Sequence, residues 1–378
     1  MMHAKLQHPC ILSIIRCAAL QKRARPFEHR LYSGKRQRNR CPYFAARKRG
    51  NECAFWLLVV CGYVGSHAVR ELTAAGHEVV LYDNLSTGHR RFSEGYEFVE
   101  ADIAGEVRLA KARERAEALM HFAASAYVGE SVTNPRKYFR NNVEAALKLL
   151  DTVLASDLRL FIFSSSCATY GIPQVLPITE SSPRAPINPY GATKLFLEHA
   201  LAAYAVSHGL RSVSLRYFNA AGAHASGSIG ELHDPETHLI PLALKAALGV
   251  ALPLHIFGNT LDTPDGTCIR DYIHVSDLGQ AHVSALEYLA KGGETTCLNL
   301  GTGEGTSVAT LVAAAEEVTG RKVPHSYTEP RPGNPPVLYA DAAQAGKVLG
   351  WRPTRDLHEI LDSAWKWERK LQASGYQL

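Results

Sequence analysis

No stretch of this chain approaches the roughly 18 consecutive apolar residues that a bilayer-spanning helix needs. The longest apolar run, Ala54–Cys61, has the length of a buried strand. An integral membrane protein is thereby excluded. There is no CxxC pair, so zinc ligation by thiolates has no support and no metal is expected. There is no repeat period and no low-complexity tract, which removes the repeat architectures. Acidic residues are nearly absent from positions 1–54, which hold 2 Glu against 4 Lys and 9 Arg, a net of +11. The whole chain carries +5, so the remainder stands at −6 and is mildly acidic. Basicity confined to one end does not describe a nucleic-acid protein, and no nucleic-acid partner is expected.

What remains is the composition of an ordinary folded chain. Hydrophobic residues are 46% and charged residues 20%, enough apolar content for a large core. A length of 378 residues suggests about two domains. Cys10, Cys17, Cys41 and Cys53 lie in the basic leader, and Cys61, Cys167, Cys268 and Cys297 are scattered beyond it. Single, scattered cysteines suit a reducing cytoplasm.

The leader, 1–53, has no helical or strand period. It is Arg-rich and acid-poor, as organelle transit peptides are. A secretory signal fits less well, because Arg16 interrupts the apolar stretch Cys10–Leu20. A third reading is that the segment is not native protein. Glu52–Val60 can be written in codons that, read two bases later, encode Met-Arg-Ile-Leu-Val-Thr-Gly-Gly: a start codon, a strand and a glycine turn. The favoured expectation is a one-base insertion near codon 61, with residues 1–60 read in the wrong frame and 1–53 lying outside the fold.

After the strand-like Phe55–Val60 comes Gly62-Tyr63-Val64-Gly65-Ser66-His67, then an amphipathic helix with Val69, Leu72 and Thr73 on one face and Gly76 as its stop. His77–Tyr82 reads as a second strand ending at Asp83. This is a βαβ unit. Glycines at such a turn let the backbone approach a pyrophosphate at the helix N-terminus, where free N–H groups and the dipole favour anions. Asp83 lies 21 residues past Gly62, where an acid binds the adenosine ribose hydroxyls. A carboxylate there repels a 2′-phosphate, so the expected cofactor is NAD. The first glycine of the usual fingerprint is Val59 here, and a β-branched residue crowds the turn.

Further strands follow. Ala118–Phe122 ends in the small residues Ala123 and Ala124, and Arg159–Phe163 ends in Ser164, Ser165 and Ser166. Strands alternating with helices predict an α/β fold with a parallel, doubly wound sheet, whose ligands sit at the C-terminal strand ends. That places Ser166 where chemistry is expected and leaves His121 as a core residue. Pro189-Tyr190-Gly191-Ala192-Thr193-Lys194 opens a helix running to about His208. Tyr190 and Lys194 are four residues apart, on one face. A free tyrosine has a pKa of about 10. An adjacent ammonium, together with the charge of an oxidised nicotinamide, is expected to bring it toward neutrality and make Tyr190 a base, with Ser166 bonded to the same oxygen.

In this order the motifs resemble the extended short-chain dehydrogenase/reductase family, and within it the UDP-sugar 4-epimerases. The resemblance covers nearly all of 61–378. It rests on GYVGSH at 62–67, YDNLSTGH at 82–89, ADI at 101–103, HFAA at 121–124, VGESV at 128–132 and NNV at 141–143. FSSSCATYG at 163–171, PYGATK at 189–194, LRYFNAAGA at 215–223, RDYIHVSDL at 270–278, NLGTGEGTSV at 299–308 and GWRPTR at 350–355 extend it. It implies a Rossmann-like NAD domain over 54–219 and a smaller C-terminal α/β domain over 220–378 that binds mainly the UDP-sugar and sends segments back to the first. It implies reversible epimerisation of UDP-glucose and UDP-galactose at C4 through a 4-keto intermediate, and a homodimer. By position, Gly62, Tyr63, Val64, Gly65, Asp83, Asn84, Asp102, Ile103, Phe122, Ala123, Asn141, Tyr190, Lys194 and Phe218 surround NAD. Ser166, Tyr190 and Lys194 are catalytic. Asn219, His238, Leu239, Arg270, Arg331 and Leu338 join Ser166 and Tyr190 around the UDP-sugar.

Departures from the family pattern are Val59 and Leu58 in the glycine turn, Ala126 where many relatives carry Lys, His238 where Asn is common, and Asn334 where Asp is usual. Leu338 stands at a sugar-pocket wall of varying size. Ser166-Cys167-Ala168 lacks the carboxylates of the related dehydratases, which disfavours dehydration. Other nucleotide-sugar epimerases or decarboxylases acting on UDP-pentoses or UDP-uronates, and a catalytically silent NAD-binding homologue, remain the alternatives.

Overall fold

The computed structural model describes residues 54–58, 62–105, 116–331 and 335–375. The expectations for 1–53, Val59 and Asn334 therefore lie outside the described residues. Seven strands form one parallel sheet: β1 (Ala54–Leu58), β2 (Glu78–Asp83), β3 (Glu97–Glu100), β4 (Ala118–His121), β5 (Leu160–Ser166), β6 (Arg211–Tyr217) and β11 (Thr296–Leu300). Their order is β11-β6-β5-β4-β1-β2-β3. The order reverses between β1 and β4, which makes the crevice beyond their C-terminal ends the switch point of a doubly wound sheet.

The central strands β4 and β5 are buried along their whole length because both faces are covered. Helices Tyr63–Ala74 and Val275–Ala290 pack on one face through Val69, Leu72, Leu278 and Leu286. Helices Ala145–Leu154 and Pro189–His208 pack on the other through Leu149, Val153, Leu197 and Leu201. Thr73, expected on the inner face, is exposed and turns its hydroxyl back to the Val69 carbonyl at 2.9 Å. The serines after Phe163 are part of β5 itself rather than a turn beyond it. His121 is a core residue, stacked on Phe163, with burial holding its pKa down at about 3.

Beyond β6 the chain builds a second core. Helices Leu239–Leu248, Val308–Thr319 and Leu357–Ser374 enclose Leu244, Leu311 and Leu361, with the parallel pair β8 (Leu254–Phe257) and β13 (His325–Thr328) beside them. Two short ladders connect the cores. β7 (Asn219–Ala221) pairs with β10 (Tyr272–His274), and β9 (Ile269–Arg270) lies between β12 (Thr306–Ser307) and β14 (Val337–Leu338). β11 then returns to the large sheet beside β6.

Candidate active site

Helix Tyr63–Ala74 starts at Gly62, which makes no side-chain cap, so its first-turn amides are left for another acceptor. A Cβ on Gly62 would meet nothing within 4 Å, so the turn faces open space. Tyr63 is anchored by its hydroxyl, which donates to the Gly222 carbonyl at 2.6 Å; Val64 is half-buried and Gly65 buried. At the end of β2, buried Asp83 accepts from the Leu85 amide at 2.6 Å. The neighbouring Asn84 amide donates to Asp102 Oδ2 at 3.0 Å, and Tyr82 donates to the Asp102 carbonyl at 2.8 Å. Asp83, Asn84, Asp102 and buried Ile103 thus form one edge. An uncapped helix start, open space above a glycine and a carboxylate at the next strand end fit a dinucleotide whose ribose is unphosphorylated.

Past β4, Phe122 packs on the His282 ring at 4.7 Å between centroids, and Ala123 is buried. Asn141 donates to Ser125 Oγ at 3.2 Å from a wide π-type turn, Phe139–Glu144, a distortion often found at functional sites. The neighbouring Asn142, which sequence reasoning passed over, is the better connected. It accepts from the Ser125 amide at 2.8 Å and donates to the Ser125 carbonyl at 3.0 Å and to Thr193 Oγ1 at 3.1 Å. It ties the end of β4 to the helix bearing Tyr190. A buried amide beside the Asn141 motif position was its only sequence signal.

Ser166 ends β5, and its hydroxyl accepts from the Ala168 amide at 3.2 Å. Helix Pro189–His208 begins at Asn188, whose side chain accepts from Gly191 N at 2.8 Å. A Cβ at Gly191 would stand 2.3 Å from the Ala168 carbonyl oxygen. Only glycine lets the helix start lie against the 167–169 turn, and that contact brings Tyr190 to Ser166. Ser166 is near enough to the Tyr190 phenol to favour its ionised form. Lys194 is buried and donates to the Ser164 carbonyl at 2.7 Å, with Nζ 5.7 Å from the Tyr190 ring centroid.

The electrostatics differ from expectation. Burial pushes the Tyr190 phenol up to about 12, with the neighbouring Ser166 hydroxyl opposing it. Burial pulls Lys194 down to about 7, with Glu198 opposing it. With the chain's own groups alone, desolvation outweighs any help from the ammonium, because Lys194 Nζ is directed at a backbone carbonyl rather than at the phenol.

The candidate sugar side is assembled from the short ladders. Phe218 is buried, and exposed Asn219 sits opposite Tyr272 in β7–β10. Arg270 and Leu338 are cross-strand neighbours in β9–β14. Arg270 donates to the carbonyls of Ile269 at 2.7 Å and Pro335 at 2.8 Å, so its planar fork is held in place. Leu338 packs with Cys167, Tyr170, Ile178 and Phe218, one residue away from Ser166 in sequence through Cys167. Arg331 lies over the ring of Phe257, at the end of β8, at 3.8 Å to its centroid. His238 and Leu239 stand at the start of helix Leu239–Leu248, where His238 contacts Glu231.

A crevice at a switch point, lined by a serine, a tyrosine and a lysine beside an uncapped helix start, defines a dinucleotide-dependent enzyme. The chain belongs to the NAD dependent epimerase/dehydratase family, whose model matches residues 60–301. It is 50% identical over 323 residues to the UDP-glucose 4-epimerase of Rhizobium meliloti (strain 1021), covering 84% of this chain and 98% of that one. Among solved structures it resembles UDP-glucose 4-epimerase from Brucella ovis in complex with NAD, with a TM-score of 0.81 and 50% identity over 83% of this chain and 97% of that chain. It also resembles the enzyme from Stenotrophomonas maltophila with bound NAD and formylated UDP-arabinopyranose. There the TM-score is 0.83 and the identity 38%, over 85% and 99% of the two chains. No helix among the described residues is long and apolar enough to cross a membrane.

Proposed function

We propose that this chain is an isomerase that interconverts UDP-glucose and UDP-galactose by NAD-dependent epimerisation at C4. The observation that carries this reading is the close contact of Gly191 with the 167–169 turn, which sets Tyr190 beside Ser166 at the C-terminal end of β5, with Lys194 one turn along the same helix. Gly62, Tyr63, Val64, Gly65, Asp83, Asn84, Asp102, Ile103, Phe122, Ala123, Asn141, Lys194 and Phe218 are the residues proposed to hold NAD. Bound NAD supplies a reversible hydride acceptor for C4.

Tyr190 Oη takes the proton of the 4-hydroxyl and later returns it, and Ser166 Oγ bonds the same sugar oxygen. For the configuration to change, the 4-keto sugar presents its other face, so the sugar itself is held loosely. Affinity then comes from the UDP end, through Asn219, His238, Leu239, Arg270 and Arg331. A guanidinium suits a diphosphate because its fork makes paired, charged hydrogen bonds. This assigns NAD mainly to 54–219 and the UDP-sugar mainly to 220–378. Leu338, beside Phe218 and Cys167, is assigned to the pocket wall. There it leaves room for a 2-acetamido group, making UDP-N-acetylglucosamine a secondary substrate.

The test uses UDP-galactose deuterated at C4. Conversion to UDP-glucose with the deuterium retained supports hydride transfer and return; washout to solvent refutes it. We further propose that the chain is a cytoplasmic homodimer. Exposed Phe139, Phe196 and Val206 on the helical segments around 139–208 give an apolar face for a second copy, and Cys167 and Cys297 are free thiols. Sedimentation of Phe196→Glu against the parent tests the dimer: an unchanged mass removes this face from it.

A further inference from the structure

Beside the glycine turn, and sharing His238 with the proposed UDP-sugar side, Glu231, His233, Glu236 and His238 converge in the segment leading into helix Leu239–Leu248. One ligand atom from each lies within 4.8 Å of all the others. His233 Nδ1 is 3.2 Å from Glu231 Oε1 and 3.7 Å from Glu236 Oε1, and His238 Nδ1 touches the same Glu231 oxygen. A tetrahedral ion with bonds of roughly 2.0–2.1 Å to nitrogen and oxygen separates its ligands by about 3.3 Å, so the two His233 spacings already approach the edges of such a tetrahedron, and the His238–Glu231 contact would open to admit the ion.

Two further observations point to a ligand. His233 Nδ1 is buried between two carboxylates yet has hydrogen-bond geometry to neither, and Glu236 Oε2 has no partner among the described residues although that side chain is only 7% exposed. His238 pairs with Glu231, and Glu236 Oε1 accepts from the Thr237 and His238 amides at 2.8 and 2.9 Å, which leaves His233 Nδ1 and Glu236 Oε2 as the unpaired atoms of the cluster. The surroundings are acidic as well. Glu368 is buried near both carboxylates, with Lys245 the cation that opposes its raised pKa.

We propose that Glu231, His233, Glu236 and His238 bind one divalent transition-metal ion, with Zn2+ the ion that two imidazoles and two carboxylates in a four-ligand site fit best. All four ligands come from the protein, so the site is structural. It clamps an irregular loop against the glycine turn, where the Tyr63 ring stands edge-on to His233 at 6.2 Å between centroids. It also clamps the loop to Tyr127, whose hydroxyl donates to the Pro235 carbonyl at 3.2 Å. The absence of CxxC pairs hid such a site, because its donors are histidine and glutamate.

The full chain, stripped with chelator and then titrated with Zn2+ in the absence of NAD and substrate, tests the proposal. One equivalent is expected to bind at neutral pH and to raise Tm. His238→Asn, at a half-exposed position that does not threaten folding, and Glu236→Gln are each expected to weaken uptake by more than about 100-fold, beyond the 10–100-fold of losing an outer partner. Co2+ is read in parallel, because its spectrum separates this site from any adventitious uptake by the thiols of Cys10, Cys17, Cys41 and Cys53 in the leader. A tetrahedral visible spectrum without thiolate charge transfer supports the site. Substoichiometric uptake, uptake unchanged in both variants, or a purely thiolate spectrum overturns it and leaves an ion-paired loop only. Uptake is read without turnover, so failure of the epimerase reading would leave this result standing.

Discussion

Burial pushes both Tyr190 and Lys194 toward their uncharged forms. The phenol stands at about 12, far from a base at neutral pH, and the ammonium at about 7. Tyr190→Phe keeps the ring and removes the proton acceptor. Turnover is expected to fall by about 10²–10⁴, as for loss of a general base, with NAD content unchanged; full activity in that variant would take Tyr190 out of its role. Lys194 makes the opposite kind of prediction, about stability. Its pKa is near 10.5 unfolded and about 7 folded, so between those values the unfolded chain binds the extra proton. Stability therefore rises with pH across that window. Lys194→Met removes the buried charge and should stabilise the protein at pH 7 by on the order of a few kcal/mol, less the hydrogen bond to Ser164. The gain should shrink as pH approaches 10. Urea melts at pH 7 and 9.5 measure both, and a gain that grows with pH would contradict the sign.

At the scale of elements, the site depends on how closely two chain segments approach. Gly191 is needed because the Ala168 carbonyl fills the space a side chain would take. Gly191→Ala should push the helix start off the 167–169 turn, lowering kcat while leaving NAD bound, at a stability cost of about 1–3 kcal/mol for overpacking. Equal kcat in the variant would show that the contact does not position Tyr190. The β9–β14 ladder sets up the second prediction. If Leu338 borders the sugar, Leu338→Tyr should lower turnover of UDP-N-acetylglucosamine relative to UDP-glucose, within the about 1–3 kcal/mol that a small steric change supplies. An unchanged ratio would return Leu338 to simple packing with Tyr170 and Ile178.

At the scale of the whole molecule, buried polar bridges join segments far apart in the chain. Glu198 pairs with Arg216 through bonds of 2.8 and 2.6 Å, Arg216 donates to Tyr170 at 2.7 Å, Tyr170 donates to Asn299 at 2.7 Å, and Ser165 donates to Glu198 at 2.6 Å. Helix Pro189–His208, β5, β6 and β11 are thereby locked behind the candidate site. Arg216→Met strands a buried carboxylate and is expected to cost about 3–5 kcal/mol, with Arg216→Met/Glu198→Leu recovering much of it. A denaturation series on the single and double variants measures this. Equal losses in both would locate the cost in packing rather than in the unpaired charge.

The local chemistry was legible from the chain itself. Strand ends at Asp83 and Ser166, the helix beginning at Pro189, and Tyr190 one turn from Lys194 follow from periodicity and from spacings of a few residues, because backbone geometry over one turn or one strand hardly varies. Partners chosen across long stretches of chain were not legible. Asp277 accepts from Thr354 and Arg355, Asp271 accepts from Thr302 and Ala340, Asn142 reaches Thr193, and the Glu231–His238 cluster closes in a loop with no period. The motifs RDYIHVSDL and GWRPTR could be seen separately, but that each supplies the other's hydrogen-bond partners is a property of the packed chain. The reversal of the pKa expectation at Tyr190 has the same origin. Four residues of helix place an ammonium near a phenol, but only the burial of both groups and the carbonyl that Lys194 meets determine the charges they carry.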